Sequence, residues 1–385
     1  MFIKKVTLEN FRNYIEQEIK LEDGINIIYG NNAQGKTNII ESIFLCSLGK
    51  SFRTNKDKEL INFEAEEGKV SVEYQRSDRE GTIKAVISDK KNFFINGIKQ
   101  NKVSDIIGKI NVIIFTPDNI EIVKDGPQKR RKFLDMMISS LKPNYLHLLN
   151  TYNQALEQRN NYLKQIKFEN RAEEMLDIWD EQLSELSSKI YEYRKKYIEK
   201  FSEKIDDIHK KITKSGKLEE NLEIRYISNG KDKESFIEAL NKSRKIDIKR
   251  GFTATGIHRD DFLIYINKRP VAIYGSQGQQ RTTVLSLKLT ELEIVKEEIG
   301  ESPILLLDDF MSELDEKRRK SFIESIEGNQ VIITCTDDIE NLDTKAKRIY
   351  VEARKMLILL PKEKETRRKK WKNLNTSIMQ IKYKY

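Results

Sequence analysis

Cysteine, histidine and proline are scarce in this 385-residue chain, with two, three and six copies. Cys46 and Cys335 lie far apart and form no C-x-x-C pair, which argues against a disulfide framework or a cysteine zinc site and fits a reducing compartment. Glycine is modest at 17 residues, so collagen-like and Gly/Pro-rich disordered classes fall away. No stretch approaches the roughly 18 apolar residues that a membrane span needs. Residues 1–14 carry charges and no apolar segment of signal-peptide type. A soluble cytoplasmic protein with no membrane partner is expected.

Charge is plentiful, at 34% of residues with a formal net of +9, which points first to nucleic acid. Its distribution changes that reading. Residues 345–385 hold 14 Lys/Arg and 3 Asp/Glu, leaving 56 basic and 58 acidic side chains in the other 344 residues, so the excess belongs to the tail. The cluster Arg367-Arg368-Lys369-Lys370 reads as a solvated charge run or as a DNA contact, and the run 129–132 as helix-surface charge or phosphate contact.

Short β-type runs at 2–8, 25–29, 70–74, 83–87 and 112–115 surround a helical stretch at 36–48, which predicts an α/β beginning. Long helices follow from about Pro127, one opening at Pro143 and running to about Ile166. In the next, apolar residues from Trp179 through Leu183, Ile190, Tyr197, Phe201 and Ile205 to Ile212 keep steps of three or four. That helix is about 50 Å long at 1.5 Å per residue and either packs on the body or projects as an arm; it is too short for a filament rod. A helix at 235–247, β-type segments at 251–255 and 262–266, a helix at 279–299, a strand at 304–307, a helix at 315–326 and a strand at 330–334 complete the pattern. Sheet-forming segments at both ends predict one discontinuous α/β domain, residues 1–126 and 250–352, interrupted by a helical insertion at 127–249 and followed by a basic tail at 353–385.

Gly30-Asn31-Asn32-Ala33-Gln34-Gly35-Lys36-Thr37 fits G-x-x-x-x-G-K-[ST] between a strand and a helix. Glycines there permit a loop whose N–H groups surround a phosphate. Lys36 neutralises the β/γ-phosphates and Thr37 can ligate Mg²⁺. The apolar run 304–307 ends in Asp308 and Asp309, which places Asp308 to hold Mg²⁺ and Asp309 to orient or deprotonate a water. Gly275-Ser276-Gln277-Gly278-Gln279 opens a helix, a cap by itself and a second anion-binding device in this company. The three histidines offer little catalytic support: His147 and His209 read as ordinary helix positions and His258 as structural.

The order P-loop, helical insertion, Ser-Gly-Gln motif, acidic strand resembles ATP-binding-cassette (ABC) heads, with Ser312 to Asp315 matching the D-loop. More specifically the chain resembles the RecF family of bacterial DNA replication and repair proteins, relatives of SMC-type heads. The match rests on Phe11-Arg12-Asn13-Tyr14, the P-loop, Ser51-Phe52-Arg53-Thr54, Phe115-Thr116-Pro117-Asp118, Gly126 to Asp135, Gln158-Arg159-Asn160 and His258-Arg259-Asp260-Asp261. The resemblance implies an α/β ABC-type P-loop ATPase head with an inserted helical, antiparallel-arm domain. It implies ATP and Mg²⁺ as cofactors, weak DNA-stimulated hydrolysis, and an ATP-dependent homodimer in which Ser276 reaches the partner's γ-phosphate. Arg12 and Arg53 are implied nucleotide contacts. Implied partners are double-stranded DNA, single-strand/duplex junctions, RecR and RecO, in recombinase loading. Three departures from ABC ATPases in general, Asp309 for the usual Glu, no switch histidine after 331–333 and no Q-loop glutamine near 115–118, point to slow hydrolysis. A transport ATPase subunit is disfavoured by the 239-residue spacing from Lys36 to Gly275, and a small-molecule kinase by the signature and D-loop it would leave without a role.

Overall fold

The computed structural model describes residues 1–77, 79–169, 171–213, 220–338, 345–352 and 355–358. Arg367 to Lys370 lie outside the described residues. The chain opens with β1 (Phe2–Phe11), β2 (Tyr14–Lys20), β3 (Ile25–Tyr29) and α1 (Lys36–Leu48). β4 (Gly68–Arg76), β5 (Arg79–Ile87), β6 (Lys91–Ile95) and β7 (Ile98–Lys99) follow, joining β1 and β2 in an antiparallel sheet of order β2-β1-β4-β5-β6-β7. After β8 (Val112–Phe115) come α2 (Glu121–Lys124), α3 (Pro127–Leu141), α4 (Pro143–Glu169), α5 (Leu176–Thr213), β9 (Leu222–Ile227) and α6 (Lys233–Arg250). β10 (Asp261–Ile266), β11 (Arg269–Pro270), α7 (Val271–Tyr274), α8 (Gln277–Ile299), β12 (Ile304–Asp308), α9 (Glu316–Ser325), β13 (Val331–Cys335), β14 (Lys347–Glu352) and β15 (Lys355–Ile358) complete it.

The central sheet runs β15-β14-β3-β13-β12-β8, parallel except for β15, so strands from both ends of the sequence lie side by side. β15 shows that the head sheet continues past residue 352 into the segment expected to be tail. Continuous apolar runs such as Ile304 to Leu307 and Val331 to Ile333 form these strands because both faces are covered. On one face α1 and the antiparallel sheet share a core containing Ile28, Ile40, Phe44, Leu306 and Ile332. On the other, Phe115, Leu305 and Leu307 join Phe201, Ile205, Leu285 and Leu289 in a single cluster. The insertion is therefore packed on the head, and α5 buries Leu183, Ile190, Tyr197, Phe201, Ile205, Ile208 and Ile212 along its length. Only at its far end does a satellite cluster, Leu163, Ile166 and Leu176, stand apart.

Residues 251–255 are not a strand. Gly251 (φ 76°) is the left-handed cap of α6, its N–H donating to the Asp247 carbonyl at 2.7 Å, and the next residues are held by side chains. Asn160 Oδ1 accepts from the Thr253 N–H and hydroxyl, both at 2.7 Å. Buried Arg159 donates to Asp180, Asp247 and Thr253 at 2.6, 2.8 and 2.9 Å. The basic run 129–132 is also largely structural: Lys129 pairs with Glu121, buried Arg130 with Asp261, and Arg131 donates to the Asp260 carbonyl, leaving Lys132 exposed.

His258 is structural as expected, its Nδ1 2.7 Å from the Tyr152 hydroxyl. Burial holds it down to about 4 from an ordinary 6.5, while burial pushes Asp260 up to about 6 from 3.8. Between pH 4 and 6.5 the unfolded chain takes up more protons at His258, so that group favours folding more as pH rises; at Asp260 the native state takes up more, and the sign reverses. The two nearly offset. Urea unfolding of Asp260→Asn should expose the histidine alone, with stability rising by about 3 kcal/mol from pH 4 to 6.5 relative to the parent's profile; a parallel profile would contradict the assignment. Arg159→Met should cost about 3–5 kcal/mol by the same assay, because it leaves Asp180 and Asp247 buried with their shared cation removed.

Candidate nucleotide-binding site

β3 ends at Tyr29, and the chain turns through Gly30 (φ 146°), Ala33 (φ 63°) and Gly35 (φ 107°) into α1. A Cβ on Gly30 would lie 2.3 Å from the Val351 carbonyl oxygen, and one on Gly35 2.6 Å from Asn13 Nδ2 and 2.9 Å from the Tyr14 hydroxyl. Both the dihedrals and the close neighbours exclude side chains there. Lys36 Nζ folds back into the loop, donating to the carbonyls of Gly30 and Asn31 at 2.7 and 2.9 Å. The ammonium thus sits inside the turn that a phosphate would enter.

The parallel register delivers the acids. Asp308 lies opposite Thr334 on β13, and Thr334 opposite Ile28 on β3, one strand over. Asp308 Oδ1 accepts from the hydroxyls of Thr37 and Thr334, each at 2.8 Å. Burial raises its carboxyl, and these two hydrogen bonds oppose the rise. Asp309 is left-handed (φ 50°), its N–H donating to the Thr334 carbonyl and hydroxyl at 3.2 and 3.1 Å. A non-glycine residue there stores strain of the kind found at functional sites. Ser312 donates to the Asp309 carbonyl at 2.7 Å, tying the D-loop to the acidic strand end.

Arg12 and Arg53 converge on one group that sequence reasoning missed. Glu41, on α1 and fully buried, accepts from Arg12 Nε and Nη2 at 2.9 and 2.7 Å, from Arg53 Nη1 at 3.4 Å, and from Ser51. Asn13 was also missed as a site residue; it donates to the Gln34 carbonyl at 3.2 Å and accepts from Asn38 at 2.6 Å, bracing the loop from outside. A carboxylate inside an apolar helix needs cations, which marks Glu41 in the sequence as a paired group without naming its partners.

Ser276 lies in a second group. It caps α8 in a capping box, its Oγ accepting from the Gln279 N–H at 3.2 Å and its N–H donating to Gln279 Oε1 at 2.9 Å. Gly275 is fixed by packing, since a Cβ there would meet the Val271 carbonyl oxygen at 2.6 Å. Ser276 and Gln277 are exposed, as are Ile273 and Tyr274 just before them. Arg281 pairs with Glu313 at 2.8 Å, and Asp315 caps α9, so signature and D-loop share a surface. Among the described residues the hydrogen bonds of Ser276 go to Gln279 and Gln280, and none reaches the P-loop. His209 lies in helix α5 as expected and is buried there, its nitrogens meeting Ser286 and Glu220 at 2.9 and 3.1 Å, and Glu220 accepts from Gln279 at 2.8 Å.

A hydroxyl and carboxylates at one strand end suit Mg²⁺, which takes few protein ligands and fills its shell with phosphate oxygens and water. Among the described residues there is no cluster of three or more His, Cys, Asp or Glu that could hold a metal alone. Burial raises both thiols, Cys335 to about 12, which keeps them protonated near neutral pH.

The family described as RecF/RecN/SMC N terminal domain matches residues 2–356. The chain is 47% identical over 348 residues to the DNA replication and repair protein RecF of Clostridium acetobutylicum, covering 88% of this chain and 94% of that one. The chain belongs to the RecF family. The corresponding protein of Acetivibrio thermocellus is 44% identical over 347 residues, covering 88% and 94%. Among solved structures, that of the recombination mediator protein RecF-ATP in the RecFOR pathway superposes with a TM-score of 0.87 at 38% identity, covering 93% of this chain and 98% of that one. An Smc head domain with an extended coiled coil from Pyrococcus furiosus shares the fold, with a TM-score of 0.54 at 18% identity. The expected RecF-type ABC ATPase fold is thereby established. No helix among the described residues is long and apolar enough to cross a membrane.

Gly35→Ala should weaken nucleoside-triphosphate binding at least tenfold in equilibrium titration with a fluorescent analogue, because the added carbon displaces Asn13 and Tyr14. Gly126→Ala, with open space around its Cβ, should leave binding at the parent's value.

Proposed function

We propose that this chain is an ATP-driven DNA clamp of recombinational repair, in which two copies close around two ATP·Mg²⁺ on duplex DNA at gaps and single-strand/duplex junctions. One observation carries the reading: the site is split. The P-loop, Thr37 and Asp308 are assembled and hydrogen-bonded together, whereas Ser276 is exposed and turned to no group of the same site. A second copy supplies what one chain lacks, each Ser276 facing the other's γ-phosphate.

The residues act as follows. Lys36 exchanges its two carbonyl acceptors for phosphate oxygens. Thr37 and Asp308 would hold Mg²⁺, which would screen phosphate charge, and Thr334 keeps the Asp308 carboxylate oriented. Asp309 positions the attacking water, its shorter side chain favouring slow turnover. Hydrolysis removes the phosphate that bridges the copies and opens the clamp. The RecFOR pathway of the solved homologue supports RecO and RecR as the partners with which recombinase is loaded.

Sedimentation should show a monomer without nucleotide and a dimer with ATP·Mg²⁺. Asp309→Asn should retain the ATP dimer and slow its dissociation at least tenfold, whereas Ser276→Arg should abolish dimerisation and leave ATP binding by the monomer. The same monomer with and without ATP would end the clamp reading.

A further inference from the structure

The near-neutral body raises the question of where a polyanion would bind it. Some cations of this surface stand beside carboxylates and many stand alone; five of the latter lie where α4 ends against α6. Lys164, Lys167, Lys249, Arg250 and Arg259 are exposed, and none has a carboxylate within ion-pair distance among the described residues. Four of them, Lys164, Lys167, Arg250 and Arg259, are contiguous. A Cβ at Gly251 would lie 3.5 Å from Lys164 Cγ and 3.7 Å from Lys167 Cδ, so both lysine stems pack across the cap of α6. The next residue, Phe252, is 40% exposed and carries the guanidinium groups of Arg250 and Arg259 at 6.0 and 5.6 Å from its ring centre. Phe168, 78% exposed, lies under the Lys167 ammonium at 5.3 Å.

Phe252 is held outside by a built support. Its neighbour Thr253 is bonded by Asn160 and Arg159, and the Ala254 N–H donates to Asp247 at 2.9 Å. A polar network beneath the loop thus holds an exposed aromatic ring beside two guanidinium groups. Aromatic faces interleaved with unpaired cations match a nucleic-acid strand: phosphates meet the cations, and an unstacked base lies on a ring. A protein partner of acidic surface would satisfy the cations and leave the rings without a role.

We infer that this patch, Lys164, Lys167, Arg250 and Arg259 around Phe252 and Phe168, binds the DNA strand at a single-strand/duplex junction, its phosphates on the cations and an unpaired base on Phe252. The inference rests on the DNA-clamp reading above and gives it a contact surface outside the ATP site.

The test measures equilibrium binding of the full chain with ATP·Mg²⁺ to a blunt duplex and to the same duplex carrying a single-stranded tail, across a salt series. The combined substitution Lys164→Glu and Lys167→Glu should weaken binding to the tailed duplex at least tenfold and lower the slope of log affinity against log salt by about 2, as expected for two lost phosphate contacts. Lys189→Glu, on α5 and paired with Glu185, serves as the surface-charge control and should change neither. Phe252→Ala should weaken the tailed duplex about tenfold and the blunt duplex by less than threefold. Circular dichroism melting verifies that each variant is folded. Parent-like affinity and slope in the double lysine variant overturn the surface assignment, and equal losses on both duplexes for Phe252→Ala overturn the base contact. A parent chain that binds neither duplex would instead overturn the clamp reading itself.

Discussion

The register of three parallel strands is the constraint from which the site follows. β3, β13 and β12 lie edge to edge, so the loop after β3, Thr334 on β13 and Asp308 on β12 emerge at the same edge of the sheet. A slip of one residue between β12 and β13 would turn Asp308 to the opposite face and remove both hydroxyls from its carboxylate. Burial on both sheet faces prevents that slip, because Leu305 and Leu307 serve one core while Ile304 and Leu306 serve the other. Hydrophobic patterning of a five-residue strand therefore sets the position of a charged group to within a hydrogen bond.

What was legible in the sequence was largely contiguous. The P-loop and α1 fell where expected because glycine at both ends of the helix has a local conformational cause, Gly35 and Gly49 both being left-handed. The acidic strand and Ser276 were readable for similar reasons. Side-chain convergence was less so. Glu41 gathers Arg12 and Arg53 from 29 and 12 positions away, distances that no local pattern encodes. The β-type reading of 251–255 failed because Phe252 and Thr253 have strand-forming side chains, whereas buried Arg159 and Asn160, almost a hundred positions earlier, decide what the backbone does. The same remoteness hid the partners of the basic run 129–132.

Charge tells a related story. A formal +9 suggested a basic protein, but many body cations are committed to carboxylates, some buried as structural ties like Arg159 and Arg130 and many exposed with little energetic consequence. Electrostatic function in such a surface falls to those unpaired cations that gather in one place, and their grouping cannot be read from composition.

The two sheet faces also bear on how arms of different length can be fitted to one head. Phe115, Leu305 and Leu307 share an apolar cluster with Phe201 and Ile205, so the root of the insertion is the cover of the sheet and cannot be shortened without laying the sheet bare. Beyond it, the hairpin of α4 and α5 closes on the small separate cluster of Leu163, Ile166 and Leu176. Helical turns added past that cluster would bury their own seam and ask nothing of the head. Growth at the tip is thus thermodynamically modular while the root is not, a physical route by which the same head fold carries a compact insertion here and an extended coiled coil in an Smc protein.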